Sequence, residues 1–126
     1  MKLRIKGDSL RLRVAPSEMA RLLEGGRVED TIHFGAGRDE SLTYALEQDA
    51  NARSLAVRYQ PARVTVVLPA SEALAWTQGD AVGVYGAVDV GTARLEIAVE
   101  KDWACLDKGE AENRDTFANP NQGANC

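Results

Sequence analysis

The chain has 126 residues, of which 44% are hydrophobic and 27% are charged, proportions typical of one soluble domain. Its 15 Lys and Arg against 19 Asp and Glu give a net charge of −4, which argues against non-specific nucleic-acid binding as the main role. No apolar run approaches the ~20 residues of a membrane helix. The N-terminal segment lacks the apolar block of a signal peptide, so we expect a cytoplasmic protein of bacterial type.

The first half of the chain predicts two strands, a helix and two more strands. Polar and apolar residues alternate on both sides of Gly7-Asp8, which indicates a hairpin with a tight turn. A Pro, a Ser and an acid then open a helix, and Gly25-Gly26 ends it. The predicted strands cover 2–6, 10–14, 28–34 and 41–47, with the helix over 15–25.

The second half repeats this order of elements. When the chain is aligned with itself at a shift of 54 residues, Leu3 aligns with Val57 and Leu12 with Val66. Apolar positions of the first half then coincide almost continuously with apolar positions of the second half. The repeat predicts a turn at Gln60-Pro61, a helix over 69–78, and strands near 81–85 and 94–100. Glycines in and after the seventh strand indicate a weak strand or a bulge: Gly83, Gly86 and Gly91.

We therefore predict an α+β domain made of duplicated ββαββ units, at about 1–49 and 53–102. It would contain about eight short, mainly antiparallel strands and two helices. A unit of about 50 residues is marginal by itself, so the two units are expected to share one core. That core forms either a closed barrel or two facing sheets, and the pattern does not distinguish them.

Residues 103–126 lose these patterns and form an acidic C-terminal tail. Trp103, Leu106 and Phe117 are apolar anchors, which favour a tail packed on domain 1–102. Residues 1–63 carry a net charge of +2 and residues 64–126 a net charge of −6. We therefore expect the acidic tail to lie across the basic first hairpin.

The first hairpin is the leading candidate for a binding site. Its apolar residues fix the inward face, so five cations share the outward face: Lys2, Arg4, Lys6, Arg11 and Arg13. This face would suit phosphate, a nucleotide or a polyacidic partner. The commoner arrangement is a solvated face, or an ion ladder with one of four acids: Glu29, Glu47, Glu96 or Glu100.

The carboxylates that end each repeat are the second candidate. Glu47 with Asp49, and Glu100 with Asp102, occupy equivalent positions, which would bring them together at a shared end. Paired acids can act as general acid and base or bind cations. They can also end strands and accept hydrogen bonds from turn amides, and we favour this second role.

Metal, cofactor and nucleophile sites have little support. The tail offers possible ligands, but their spacing fits neither zinc nor calcium sites, and the lone His33 is remote. We predict no metal and no cofactor. No Ser lies in a nucleophile elbow, and a disulfide is a minor alternative in a reducing compartment. The possible metal ligands in the tail are Cys105, Asp107, Glu110, Glu112, Asp115 and Cys126, and the disulfide would join the two cysteines.

Three segments resemble a family of small bacterial proteins classed only as a domain of unknown function. They are residues 3–13 (LRIKGDSLRLR), 99–106 (VEKDWACL) and 117–121 (FANPN). The resemblance implies that the tail belongs to the protein, but it implies no activity. A weaker analogy is with triphosphate tunnel enzymes. Their N-terminal Glu-x-Glu-x-Lys pattern is absent here, which leaves triphosphate hydrolysis unsupported.

These observations favour an uncharacterised binding or interaction module with a basic hairpin face over an enzyme. Its partner would be a small anion or a protein; nucleic acid and membrane are not expected. An open sheet edge would also allow two copies to form a homodimer. The alternative is a small enzyme acting on a phosphorylated or other anionic substrate in a tunnel-like barrel. Glu47 and Glu100 would then supply acid–base or metal chemistry.

Overall fold

A computed structural model describes residues 1–103 and 115–118. Within these residues the chain forms eight strands and two helices in the predicted order. The elements are β1 (Lys2–Lys6), β2 (Ser9–Val14), α1 (Pro16–Gly25), β3 (Arg27–His33), β4 (Ser41–Asp49), β5 (Ala56–Gln60), β6 (Arg63–Pro69), α2 (Ala70–Gln78), β7 (Gly83–Val90) and β8 (Ala93–Lys101).

The described strands form two four-stranded sheets. The first has the order β1-β2-β8-β7, and the second has the order β3-β4-β6-β5. Each sheet joins two antiparallel hairpins through a parallel pair of central strands, β2 with β8 and β4 with β6. The fold is therefore α+β as predicted, and two facing sheets describe it better than a closed barrel.

The two halves of the chain contribute equally to both sheets. If β1–β4 are exchanged for β5–β8, the order of the first sheet becomes that of the second. Each half therefore places its first hairpin in one sheet and its second hairpin in the other. Because of this exchange, neither half completes a sheet without the other half.

The hydrophobic core lies between the sheets and under the helices. In β2 every second side chain is buried, as the alternation predicts. Trp76 of α2 is 2% exposed, and its Nε1 donates to the Val82 carbonyl oxygen at 3.2 Å. Both sheets and both helices supply core side chains, among them Leu12, Val14, Leu22, Leu46, Val66, Leu68 and Val99.

The first helix ends as its sequence predicts. Pro16 occupies the first turn, where its missing N–H is not needed. Gly26 follows the helix with φ 79°, a left-handed conformation, and its N–H donates to the Leu22 carbonyl oxygen at 2.9 Å. Helix α1 follows β2 and contacts β3 and β4, whereas α2 follows β6 and contacts β4, β6 and β7.

The seventh strand differs from its prediction. It runs from Gly83 to Val90 in continuous register with β8, so the predicted bulge is absent. Strand β7 lies at the edge of its sheet, where glycine is tolerated, and Gly91 turns the chain after the strand with φ 71°. At Gly86 a Cβ would lie 2.8 Å from Leu55 Cδ2, so glycine permits this close approach.

The described tail residues contact the domain at two points. The Phe117 amide donates to the Asp102 carbonyl oxygen at 2.8 Å, and within the tail Phe117 forms an isolated bridge with Trp103, their ring centroids 5.6 Å apart at 63°. Asp115 accepts hydrogen bonds from Ser17 at the start of α1. Leu106, the third predicted anchor, lies outside the described residues, as does most of the acidic segment expected to cover the hairpin.

Candidate functional site

The structure places the five predicted cations on one outward face, which we call the basic face. Lys2 lies opposite Arg13 and Arg4 opposite Arg11 across the β1–β2 hairpin. The buried leucines of β2 hold the opposite face of the hairpin against the core. The parallel partner β8 and its neighbour β7 extend this surface, because their side chains alternate in the same phase.

Ion pairs neutralise only part of the basic face. Arg11 Nε lies 3.1 Å from Glu100 Oε1, and Lys2 Nζ lies 3.0 Å from Asp102 Oδ2. The predicted ion ladder is therefore partial. Among the residues that the structure describes, the other three cations of the hairpin have no ion pair: Arg4, Lys6 and Arg13.

A groove of about 570 Å³ lies on this face. Three cations of the hairpin and Arg94 of β8 line it, and Glu96 is the single acid among its described lining residues. Arg94 and Glu96 are exposed and form no ion pair with another described residue. The middle of the groove is lined by short side chains, Ser9, Ala87 and Ala98, so the longer side chains around them form its walls.

Tyr85 of β7 forms the wall opposite the basic hairpin. Its hydroxyl donates to Glu100 Oε2 at 2.7 Å, while its side chain remains 57% exposed. Partial burial, this hydrogen bond and the charge of Glu100 raise the pKa of Tyr85 to about 12, against a lowering by Arg11. A Cβ at Gly83 would lie 3.0 Å from the Tyr85 hydroxyl, so glycine leaves room for the ring.

Sequence reasoning missed Tyr85 and Arg94 as members of this site, and it named Glu96 only as one of four acids that could pair with the basic face. The alternation within β7 and β8 indicates which of their side chains share a face. It does not indicate that β8 pairs with β2, because that pairing joins residues 87 positions apart in the chain.

The structure does not bring Glu47 and Glu100 together. Glu47 lies in β4 of the second sheet, where it contacts Arg27 Nη1 at 3.1 Å and Arg58 Nη2 at 2.5 Å. Glu100 lies in β8 of the first sheet. The two acids are equivalent in the predicted repeat, but each half gives its fourth strand to a different sheet. No acid–base pair can therefore form between them.

The neighbouring acids have structural contacts. Asp49 accepts a hydrogen bond from the Asn51 amide at 2.8 Å, which is the turn role that we favoured. Asp102 is 6% exposed and forms its ion pair with Lys2. Glu29 belongs to the second sheet, where its carboxylate lies 3.7 Å from Arg27.

No group of three or more His, Cys, Asp or Glu side chains could hold a metal ion within residues 1–103 and 115–118. His33 ends β3, lies opposite Ser41 and is exposed. The structure does not describe five of the six tail residues considered for metal or disulfide chemistry: Cys105, Asp107, Glu110, Glu112 and Cys126. In the described part of the chain, no helix has the length and apolar character needed to span a membrane.

Comparison with curated proteins and with solved structures finds no match. A family described as "Family of unknown function (DUF7009)" matches residues 1–121. This match covers both halves of the domain and the tail as far as Asn121, in agreement with the resemblance noted from three segments of the sequence. The chain therefore belongs to DUF7009, a family of unknown function.

Proposed function

We propose that the protein is a binding module that takes an anionic ligand in the groove of the basic face. The observation that carries this proposal is the charge of the groove. Four cations, Arg4, Lys6, Arg11 and Arg94, line it with one acid, Glu96, on a protein whose net charge is −4. Such a local excess of positive charge attracts anions even when the whole molecule repels them.

The contacts of the groove support a ligand site over a self-neutralised surface. Only Arg11 among these four cations has an ion pair with a described residue. Surface cations that face one another without acids repel, and a bound anion relieves this repulsion. The volume also falls within the ~300–1,000 Å³ typical of small-molecule sites.

The small-enzyme alternative has lost the arrangement on which it depended. It required cations and acids facing one another inside a barrel. Here the cations lie on an outward sheet face, and Glu47 and Glu100 are held in ion pairs on different sheets. These positions favour ligand binding over acid–base chemistry by this pair.

The proposal also includes an origin by duplication, the domain organisation, the cellular setting and dimerisation. The exchanged topology supports an origin by duplication, and the contacts of Asp115 with Ser17 and of Phe117 with Asp102 support a single domain with residues 103–126 packed on it. We retain a bacterial, cytoplasmic setting from the sequence. Four strands lie at sheet edges, which supports pairing of two copies, and sedimentation velocity measures this pairing directly.

The test is thermal unfolding in the presence of pyrophosphate, with charge-reversed variants. Pyrophosphate at 100 times its Kd adds ~2.7 kcal/mol to the free energy of unfolding, which raises Tm by several degrees. Arg4→Glu combined with Lys6→Glu should abolish this increase. A matched control reverses Arg38 and Arg53, two exposed cations in loops outside the groove, and should retain it. An unchanged response of the groove variant would reject the proposal.

A further inference from the structure

We infer that the ligand of this groove is a nucleoside polyphosphate, with its base stacked on Tyr85 and its phosphates bound by Arg4, Lys6 and Arg11. This inference rests on the proposed anion-binding function and specifies the class of ligand. It depends on three features of the groove: an aromatic ring, a lone acid, and the order in which they lie across the sheet.

The ring of Tyr85 is held in place and exposed at the same time. Its hydroxyl donates to Glu100, which is itself paired with Arg11, so both ends of the Glu100 carboxylate have partners. The hydrogen bond restrains the ring, while 57% of the residue remains exposed. A restrained, exposed ring is a suitable surface for stacking a base, because little conformational entropy is lost on binding.

The order of side chains across the sheet matches the parts of a nucleotide. Arg4, Arg11, Ala98 and Tyr85 lie in one row, since each is the register partner of the next. Three strand spacings of ~4.8 Å separate the outer strands, so the row spans ~14 Å. Inorganic phosphate is too short to contact both ends of this row, whereas a nucleoside with a phosphate chain has the base and the anion at its two ends.

Glu96 lies between these ends and should make a simple polyanion bind less tightly than a nucleotide. It is the register partner of Ser9 and of Ala87, beside the short side chains in the middle of the groove. A carboxylate there repels phosphate but accepts hydrogen bonds from hydroxyl groups. A ribose placed between base and phosphates supplies those hydroxyls. The acid is thus compatible with a nucleotide and unfavourable for bare polyphosphate.

The inference is tested by calorimetric binding of adenosine triphosphate, guanosine triphosphate and inorganic tripolyphosphate in metal-free buffer. The nucleotides should bind more tightly than tripolyphosphate. Tyr85→Ala should raise the Kd of both nucleotides about tenfold, as expected for loss of one base–aromatic stack, and leave that of tripolyphosphate within twofold. Tyr85→Phe, which keeps the ring, should change the nucleotide Kd less than threefold.

The matched control is Tyr59→Ala. Tyr59 is 71% exposed on an edge strand of the other sheet, so its removal should not alter binding of any of the three ligands. Circular dichroism establishes that each variant is folded. Glu96→Ala should tighten tripolyphosphate at least twofold without tightening the nucleotides, and equal tightening of all three would contradict a contact between Glu96 and ribose.

The remaining outcomes separate this inference from the proposed function. If tripolyphosphate binds as tightly as the nucleotides and Tyr85→Ala changes neither, the groove binds anions but the nucleotide assignment is wrong. If none of the three ligands binds, both the assignment and the proposed function are wrong. A single-stranded tetranucleotide that binds more than tenfold tighter than adenosine triphosphate would overturn the mononucleotide in favour of a nucleic-acid strand.

Discussion

The carboxylate of Asp115 accepts hydrogen bonds from both the backbone amide and the hydroxyl of Ser17, 98 residues earlier in the chain. Ser17 stands in the first turn of α1, where free amides and the helix dipole favour a negative charge. The residue before this helix is Ala15, which has no side chain that could cap it. Glu18 in the same turn accepts the Ala15 amide at 2.9 Å, and Asp115 from the tail provides a second carboxylate for the Ser17 amide, which Ala15 cannot cap.

Loss of this contact should make stability less dependent on pH. The hydrogen bonds from Ser17 lower the pKa of Asp115 below its usual 3.8. The ionised form is thus favoured by folding, so its contribution is complete above pH 3.8 and is lost as pH falls through the lower folded-state pKa. Asp115→Asn should lower Tm at pH 6, and the difference from the parent should shrink as the solution is acidified.

Thermal unfolding of both proteins between pH 6 and pH 2.5 measures this difference. Asp89→Asn is a suitable control, because Asp89 is an exposed carboxylate on an edge strand and forms no ion pair with another described residue. A difference between parent and Asp115→Asn that stays constant over the whole range would show that ionisation of Asp115 has no part in the contact.

Lys101 should contribute to stability through its ammonium group. The residue is 5% exposed, and its Nζ donates to the Gly79 carbonyl oxygen at 2.8 Å. The same atom lies 6.0 Å from the ring centroid of Trp103 and 5.5 Å from that of Phe117. Lys101→Met keeps the apolar stem but removes the donor and the cation–π contacts. We expect a loss of ~1–3 kcal/mol in the free energy of unfolding.

Urea denaturation followed by tryptophan fluorescence measures this loss. The matched control is Lys6→Met, the same exchange at an exposed lysine, which should change the free energy of unfolding by less than ~0.5 kcal/mol. Equal effects of the two substitutions would mean that the buried ammonium of Lys101 adds nothing beyond its stem.

Tyr85 should titrate well above an ordinary tyrosine. Its pKa of about 12 comes from partial burial, the hydrogen bond to Glu100 and the charge of that carboxylate. Because the neutral phenol is favoured in the folded state, its contribution to stability is complete below pH 10 and is lost as pH rises through 12. Glu100→Gln removes the charge and should move the pKa of Tyr85 toward 10.

Ultraviolet difference titration of the parent, Tyr85→Phe and Glu100→Gln assigns this transition. The phenol titration at the highest pH in the parent, if it is lost in Tyr85→Phe, belongs to Tyr85. The change in its pKa in Glu100→Gln then gives the effect of the Glu100 charge on Tyr85. Glu47→Gln is the control, since Glu47 lies in the other sheet with Arg27 and Arg58. An unshifted titration in Glu100→Gln would show that the charge of this carboxylate does not raise the pKa of Tyr85.

The strands and helices follow from local patterns in the sequence. In β2 the leucines alternate with arginines, so burying one set leaves the other on the outward face, whatever the strand pairs with. The start of α1 at Pro16 and its end before Gly26 depend on backbone conformations particular to those residues. These features require only neighbours in the chain, and the sequence was sufficient to predict them.

The groove required the tertiary structure. Strands pair through backbone hydrogen bonds, which are alike for all residues. The alternation of side chains in β2 therefore does not predict that β8 is its partner. That pairing brings Arg94, Glu96 and Tyr85 beside the basic hairpin. The same exchange of hairpins separates Glu47 from Glu100, which the repeat had suggested would meet.

The sequence by itself determined the order of elements and the face on which five cations lie, because both depend on periodicity or on turn residues. The tertiary structure decided which acids lie beside those cations in this chain of net charge −4. Arg11 forms an ion pair with Glu100 of β8, and Lys2 forms one with Asp102 directly after β8. Arg4 and Lys6 line a groove whose opposite wall is Tyr85. Contacts between residues so distant in sequence arise only when the two halves of the chain complete one another's sheets.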